Sequence, residues 1–117
     1  MSGETKQLKR LILEMGMGTV LHSGDYTKAA KRAVEDALRH SSLTIFRSLD
    51  IDPGTMQVDL TLAAQEPEKI DLAAAAAVLP FGTVTPKAVK GGLNVTDETS
   101  GQKCVIVNAG IVVRVPL

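Results

Sequence analysis

Apolar residues alternate with polar ones along some stretches of the chain and recur at helical spacing along others. Leu8 to Met17 has the apolar character of a buried strand, with Leu11, Leu13 and Met15 on one face and Ile12 on the other. Gly16 and Gly18 are expected to end it, because glycine relieves the limits on a sharp exit and lets another group approach the backbone. Asp25 then fits the first position of a helix, where its carboxylate can accept from free backbone N–H groups. The helix is predicted from Tyr26 to about His40, with Tyr26, Ala29, Ala30, Ala33, Val34, Ala37 and Leu38 as its apolar stripe. On the other side, Glu35 and Arg39 stand four apart in the favourable order. Arg39 and His40 suit the negative end of the helix dipole.

Beyond it, Leu43, Ile45, Phe46 and Leu49 are expected to tuck under the core. Asp52-Pro53-Gly54-Thr55 reads as a β-turn, with Gly54 at the positive-φ position. Met56 to Ala64 alternates cleanly: Met56, Val58, Leu60 and Leu62 oppose Gln57, Asp59 and Thr61, as in a strand with one buried face. Glu66-Pro67-Glu68 opens a second predicted helix that runs through the alanines to Val78 and stops before Pro80. Thr83 to Lys90 is a short strand that Pro86 assigns to an edge or a bulge, followed by Gly91-Gly92 and Leu93-Asn94-Val95. A polar loop leads to Cys104–Val115, too β-branched for a helix and expected to bend at Asn108-Ala109-Gly110.

The predicted order is β-α-β-α-β-β: one α+β domain over residues 1–117. It is a two-layer sandwich with two helices on one face of a four-stranded mixed or antiparallel sheet. The other sheet face is left without cover, so the chain is expected to associate with itself as a homo-oligomer.

Composition narrows the function classes. Lys plus Arg equal Asp plus Glu at 13 each, and aromatic residues are 3% of the chain, so both footprints of a nucleic-acid binder are lacking. No apolar run reaches the ~20 residues that span a bilayer, which excludes a membrane partner of that kind and makes the cytoplasm the default location. Cys104 is the only cysteine, sits in an apolar run and reads as a small core residue. No His, Cys and carboxylate set has metal spacing, and no cofactor is indicated.

Candidate chemistry gathers between Gly16 and Asp25. A strand, a Gly-x-Gly and a helix start can hold an anion, because backbone N–H groups and the helix dipole favour negative charge there. The dinucleotide fingerprint fails at Leu21, and no Gly-Lys-Ser/Thr follows, so neither a Rossmann turn nor a P-loop is present. His22 lies outside regular structure near Asp25 and could serve as a ligand or a general acid/base oriented by that carboxylate. The predicted ligand site is therefore Gly16, Gly18, His22, Ser23, Gly24 and Asp25, with His22 the one candidate catalytic residue.

The stretch Gly16-Met17-Gly18-Thr19-Val20-Leu21-His22-Ser23 resembles the Gly-x-Gly-x-Asp-x-His-Gly signature of the Listeria Lin-type ("Lin five-twelve") family of conserved hypothetical proteins. Leu79-Pro80-Phe81-Gly82 and Gly91-Gly92-Leu93 fit the same resemblance. Gly16, Gly18 and His22 carry over, whereas Val20 stands in place of the signature Asp and Ser23 in place of its Gly. The family brings no assigned activity. Two functions stay open: a non-catalytic module, or degenerate enzyme, binding a small ligand such as an anion, or a small enzyme using His22 at a subunit interface, completed by Lys90, Asn94 or Asn108.

Overall fold

The computed structural model describes residues 7–39 and 50–116. Strand β1 (Leu8–Val20) leads into helix α1 (Tyr26–Arg39), strand β2 (Gln57–Ala64) and the short helix α2 (Leu72–Ala76). Strands β3 (Thr83–Lys90), β4 (Leu93–Thr96) and β5 (Lys103–Pro116) complete the order. The α+β class and the mixed sheet are as expected, with five strands among the described residues in place of four. Strand order is β1-β5-β2-β3, and β4 pairs with the start of β5. β1, β2 and β4 each run antiparallel to β5, and β3 is parallel to β2. Four strands therefore point the same way, and the loops that follow them meet at one end of the sheet.

Alternation along β2 and β5 builds the core. Val58, Leu60 and Leu62 on one strand, and Val105, Val107, Ile111 and Val113 on the other, are almost completely buried on the helical side. Each such side chain contributes about 1.5–3 kcal/mol by leaving water. Ala29, Ala30, Ala33 and Ala37 of α1 are fully buried against β1 and β5, and their small size lets the helix lie close to the strands.

β1 does not stop at its glycines. It runs on to Val20, and Gly16 and Gly18 face α1 from within the strand. A Cβ at Gly16 would stand 2.3 Å from the Ala33 carbonyl oxygen, and one at Gly18 would stand 2.0 Å from that of Ala29. These glycines are required by the approach of the helix backbone and not by a turn. Ile12 takes the buried position, while Leu13 and Met15 face outward, 52% and 70% exposed.

Other expectations are corrected. The second helix is divided: Pro67–Lys69 forms a single 3-10 turn, Ile70 returns to extended backbone, and α2 starts only after Asp71, whose carboxylate accepts from Ala74 N at 3.1 Å. Ile70 is 7% exposed, and burying it interrupts what the alanine run would otherwise continue. β5 has no break at Asn108–Gly110; its pairing is continuous, and the one register shift with β1 falls between Arg10 and Ile12. Gly54 lies in a 3-10 turn capped by Asp52 and lacks a positive φ, which Asp50 adopts instead (φ 52°). Arg39 pairs with Asp36 at 3.4 Å in place of the expected Glu35. Pro86 lies in β3, at the sheet edge, as expected. The contacts expected of Leu43, Ile45, Phe46 and Leu49, and the end of the helix at His40, fall outside the described residues.

Candidate functional site

The carboxyl ends of β1 to β4 bring together Leu21–Asp25, Gln65–Glu66, Gly91–Gly92 and Asp97–Gln102. This is the end of a sheet with co-directional strands where ligands usually bind. Asp25 begins α1 as expected, accepting from Lys28 N through Oδ1 at 3.0 Å, while its carbonyl accepts from Ala29 N. Gly24 turns the chain into that cap with φ 64°.

His22 does not take its orientation from Asp25. Its Nδ1 is 3.0 Å from Gln102 Oε1 on the loop between β4 and β5. An amide oxygen only accepts, so the ring donates to it through Nδ1–H and turns Nε2 away from Gln102. On the same loop, Asp97 accepts from the backbone of Thr99 and Ser100, which holds its carboxyl below the usual range with help from the nearby His22 charge.

Beside His22 is a cavity of about 350 Å³, lined by Val20, Leu21, His22, Ser23, Lys28 and Arg32. Val20, 4% exposed, supplies an apolar wall where the resembling signature has an acid. Arg32 is fixed by donating from Nη1 to the Thr19 carbonyl at 2.7 Å. Lys28 has no ion-pair partner among the described residues. A lysine, an arginine, an imidazole and a hydroxyl thus border a space lined by no carboxylate.

A second polar cluster adjoins this end and was not legible from spacing. Glu66 Oε2 accepts from Tyr26 Oη at 2.8 Å and from Lys103 Nζ at 3.1 Å, and Oε1 accepts from Lys69 Nζ at 3.0 Å. The Tyr26 hydroxyl, followed by both lysines, lowers the Glu66 pKa to about 2. Glu66 in turn raises that of Lys69. Asn94 Nδ2 donates to Tyr26 Oη at 2.6 Å, and Asn94 Oδ1 is buried without a donor among the described residues. Buried Tyr26 at the head of an apolar stripe was the available signal, because a buried phenol needs a polar partner.

Of the predicted ligand residues, His22 and Ser23 line the cavity, Gly24 and Asp25 shape the turn beside it, and Gly16 and Gly18 lie beneath α1. Asn94 belongs to the neighbouring cluster, Lys90 is exposed at the end of β3, and Asn108 stands opposite Met17 on the open sheet face. Cys104 is half-buried, with its Sγ donating to the Leu21 carbonyl at 2.8 Å. The described residues contain no group of three or more His, Cys, Asp or Glu placed to hold a metal, and no helix long and apolar enough to cross a membrane.

Fold and site together define a two-layer α+β protein with a cavity between the carboxyl end of β1 and the first turns of α1. The chain belongs to the Lin0512 family of conserved hypothetical proteins, whose model matches residues 10–113. It is similar to an FtsZ-like protein of unknown function from Nostoc punctiforme, known from a crystal structure. Identity is 31%, with a TM-score of 0.82 over 97% of this chain and 100% of that one. No curated protein matches the chain.

Proposed function

We propose that this chain is a binding module for a small anion, held at the end of β1 by His22, Ser23, Lys28 and Arg32. The observation that carries this reading is the cavity itself: two cations and an imidazole border it, and no carboxylate offsets them. An anion there would gain charge-assisted hydrogen bonds from Lys28 and Arg32, each worth about 1.5–3 kcal/mol. The start of α1 adds the positive end of the helix dipole. Gly16 and Gly18 act indirectly, by letting α1 lie close enough to β1 for Arg32 to reach the Thr19 carbonyl.

Calorimetric titration with inorganic pyrophosphate tests the reading. Wild-type protein is expected to bind, and Lys28→Ala and Arg32→Ala each to weaken binding by about tenfold or more, the equivalent of about 1.4 kcal/mol. Affinity unchanged in both variants would refute it.

The His22–Gln102 bond favours a second reading, because it leaves Nε2 free to take a proton. If the site turns over its ligand, His22→Ala abolishes turnover of a bound phosphoanhydride while the chain stays folded. Retained turnover in that variant would exclude the histidine from the chemistry.

A further inference from the structure

We propose that the polar depression over β2, β3 and the end of β5 is a second binding site, for a small hydroxycarboxylate. This inference is independent of the anion site at the end of β1. The depression has a volume of about 400 Å³, toward the small end of the range for ligand sites. The sheet register builds its walls. Asp59 stands between Thr85 of β3 and Val112 of β5, and Thr61 stands between Lys87 and Gly110. Asp59 and Thr61 point away from the helices, because Val58, Leu60 and Leu62, which alternate with them along β2, are buried in the core. A Cβ added at Gly110 would meet nothing within 4 Å, so the side of Thr61 toward β1 stays open.

Charge decides what fits. Arg114 reaches diagonally across the strands and donates from Nη1 to Asp59 Oδ2. Asp59 Oδ1 has no donor among the described residues. Lys87, on the other diagonal from Asp59, has no ion-pair partner among them. One acid against two bases leaves a single positive charge, and the Asp59–Arg114 pair places the uncompensated one at Lys87. One carboxylate on Lys87 balances it, and the hydroxyls of Thr61, across from that lysine, and Thr85, two residues before it, can donate to the same oxygens. A hydroxyl on the ligand's adjacent carbon then donates to Asp59 Oδ1. The Asp59 carboxylate disfavours a phosphate dianion, which sets this site apart from the carboxylate-free cavity beside His22. A zwitterionic amino acid brings no net charge and leaves that of the site unbalanced.

The test is amide chemical-shift titration of the isotope-labelled full chain with sodium lactate at constant ionic strength, in wild type and in Lys87→Gln. Lys87 is exposed on an edge strand, so the spectrum of the variant should show an intact fold. Lactate is expected to give saturable shifts centred on residues 59–61, 85–87 and 110–114, with a dissociation constant in the millimolar range and no shifts on residues 19–32. Lys87→Gln is expected to weaken binding by about tenfold, and propionate, which lacks the hydroxyl, to bind wild type about fivefold more weakly than lactate. An absence of shifts at about 50 mM lactate, equal affinity in Lys87→Gln, or propionate or free alanine binding as tightly as lactate would each overturn the proposal.

Discussion

A methyl group added at Gly18 would press against the Ala29 carbonyl oxygen and, at 2.5 Å, the Ala33 amide nitrogen. Helix backbone cannot give way as the tip of a side chain can. Gly18→Ala, and Gly16→Ala against Ala33 and Ala37, should therefore each cost about 3 kcal/mol, the upper end of ordinary overpacking. Urea denaturation measures this directly, and a loss below about 1 kcal/mol would contradict the close-packing account. Gly110→Ala serves as the contrast: with nothing within 4 Å, it should leave the unfolding midpoint of dilute protein unchanged or raised. All three glycines interrupt apolar strands in the sequence. What separates them is the element across from each, and a one-dimensional pattern does not contain that information. For the same reason Gly16 and Gly18 read as a strand end, and Asn108-Ala109-Gly110 as a bend.

Between elements, the Tyr26–Glu66 bond joins α1 to the end of β2, Lys103 adds the start of β5, and Asn94 adds β4. Tyr26→Phe removes the acceptor of Asn94 Nδ2 and one donor to Glu66, and should cost about 1–2 kcal/mol. An unchanged unfolding midpoint would show that the cluster does not tie these elements together. The pH dependence has a definite sign. The folded Glu66 pKa, about 2, lies below its ordinary 4.5, so its ionised form stabilises the fold above the ordinary value. That contribution declines as pH falls from about 4.5 and is gone below about 2. Glu66→Gln should remove this component from a plot of urea midpoint against pH, and an unaltered acid limb would exclude Glu66 as its source. Alternation made β2 legible, and helical spacing with a capping Asp made α1 legible, because in both the burial period follows the chain. The second helix was misjudged because alanine propensity is weak beside the burial of Ile70 and the cap at Asp71. Topology brings Glu66 and Asn94 to Tyr26 across 40 and 68 residues, and Lys103 to Glu66 across 37, and no spacing rule links them.

For the whole molecule, the sheet divides the work. One face is closed by α1 and α2, the other leaves Leu13, Met15 and Met17 exposed, and the cavity lies between the end of β1 and the start of α1. The chain has no net charge, so attraction for an anion comes from local arrangement and should be sensitive to salt. Pyrophosphate affinity is expected to fall as sodium chloride rises from about 0.05 M to 0.5 M, and salt-independent binding would point to an uncharged ligand. The cavity was partly legible: His22, Ser23 and the capping Asp25 stand out in the sequence, while Lys28 and Arg32 pass for a solvated helix face until β1 is placed beside them. The measurement that bears most directly on the central claim is amide chemical-shift mapping of isotope-labelled protein titrated with pyrophosphate. Saturable shifts concentrated on residues 19–32, with the Gln102 side-chain amide moving alongside, are the predicted result. Shifts centred elsewhere, or none at millimolar pyrophosphate, would contradict a small-anion site at the end of β1.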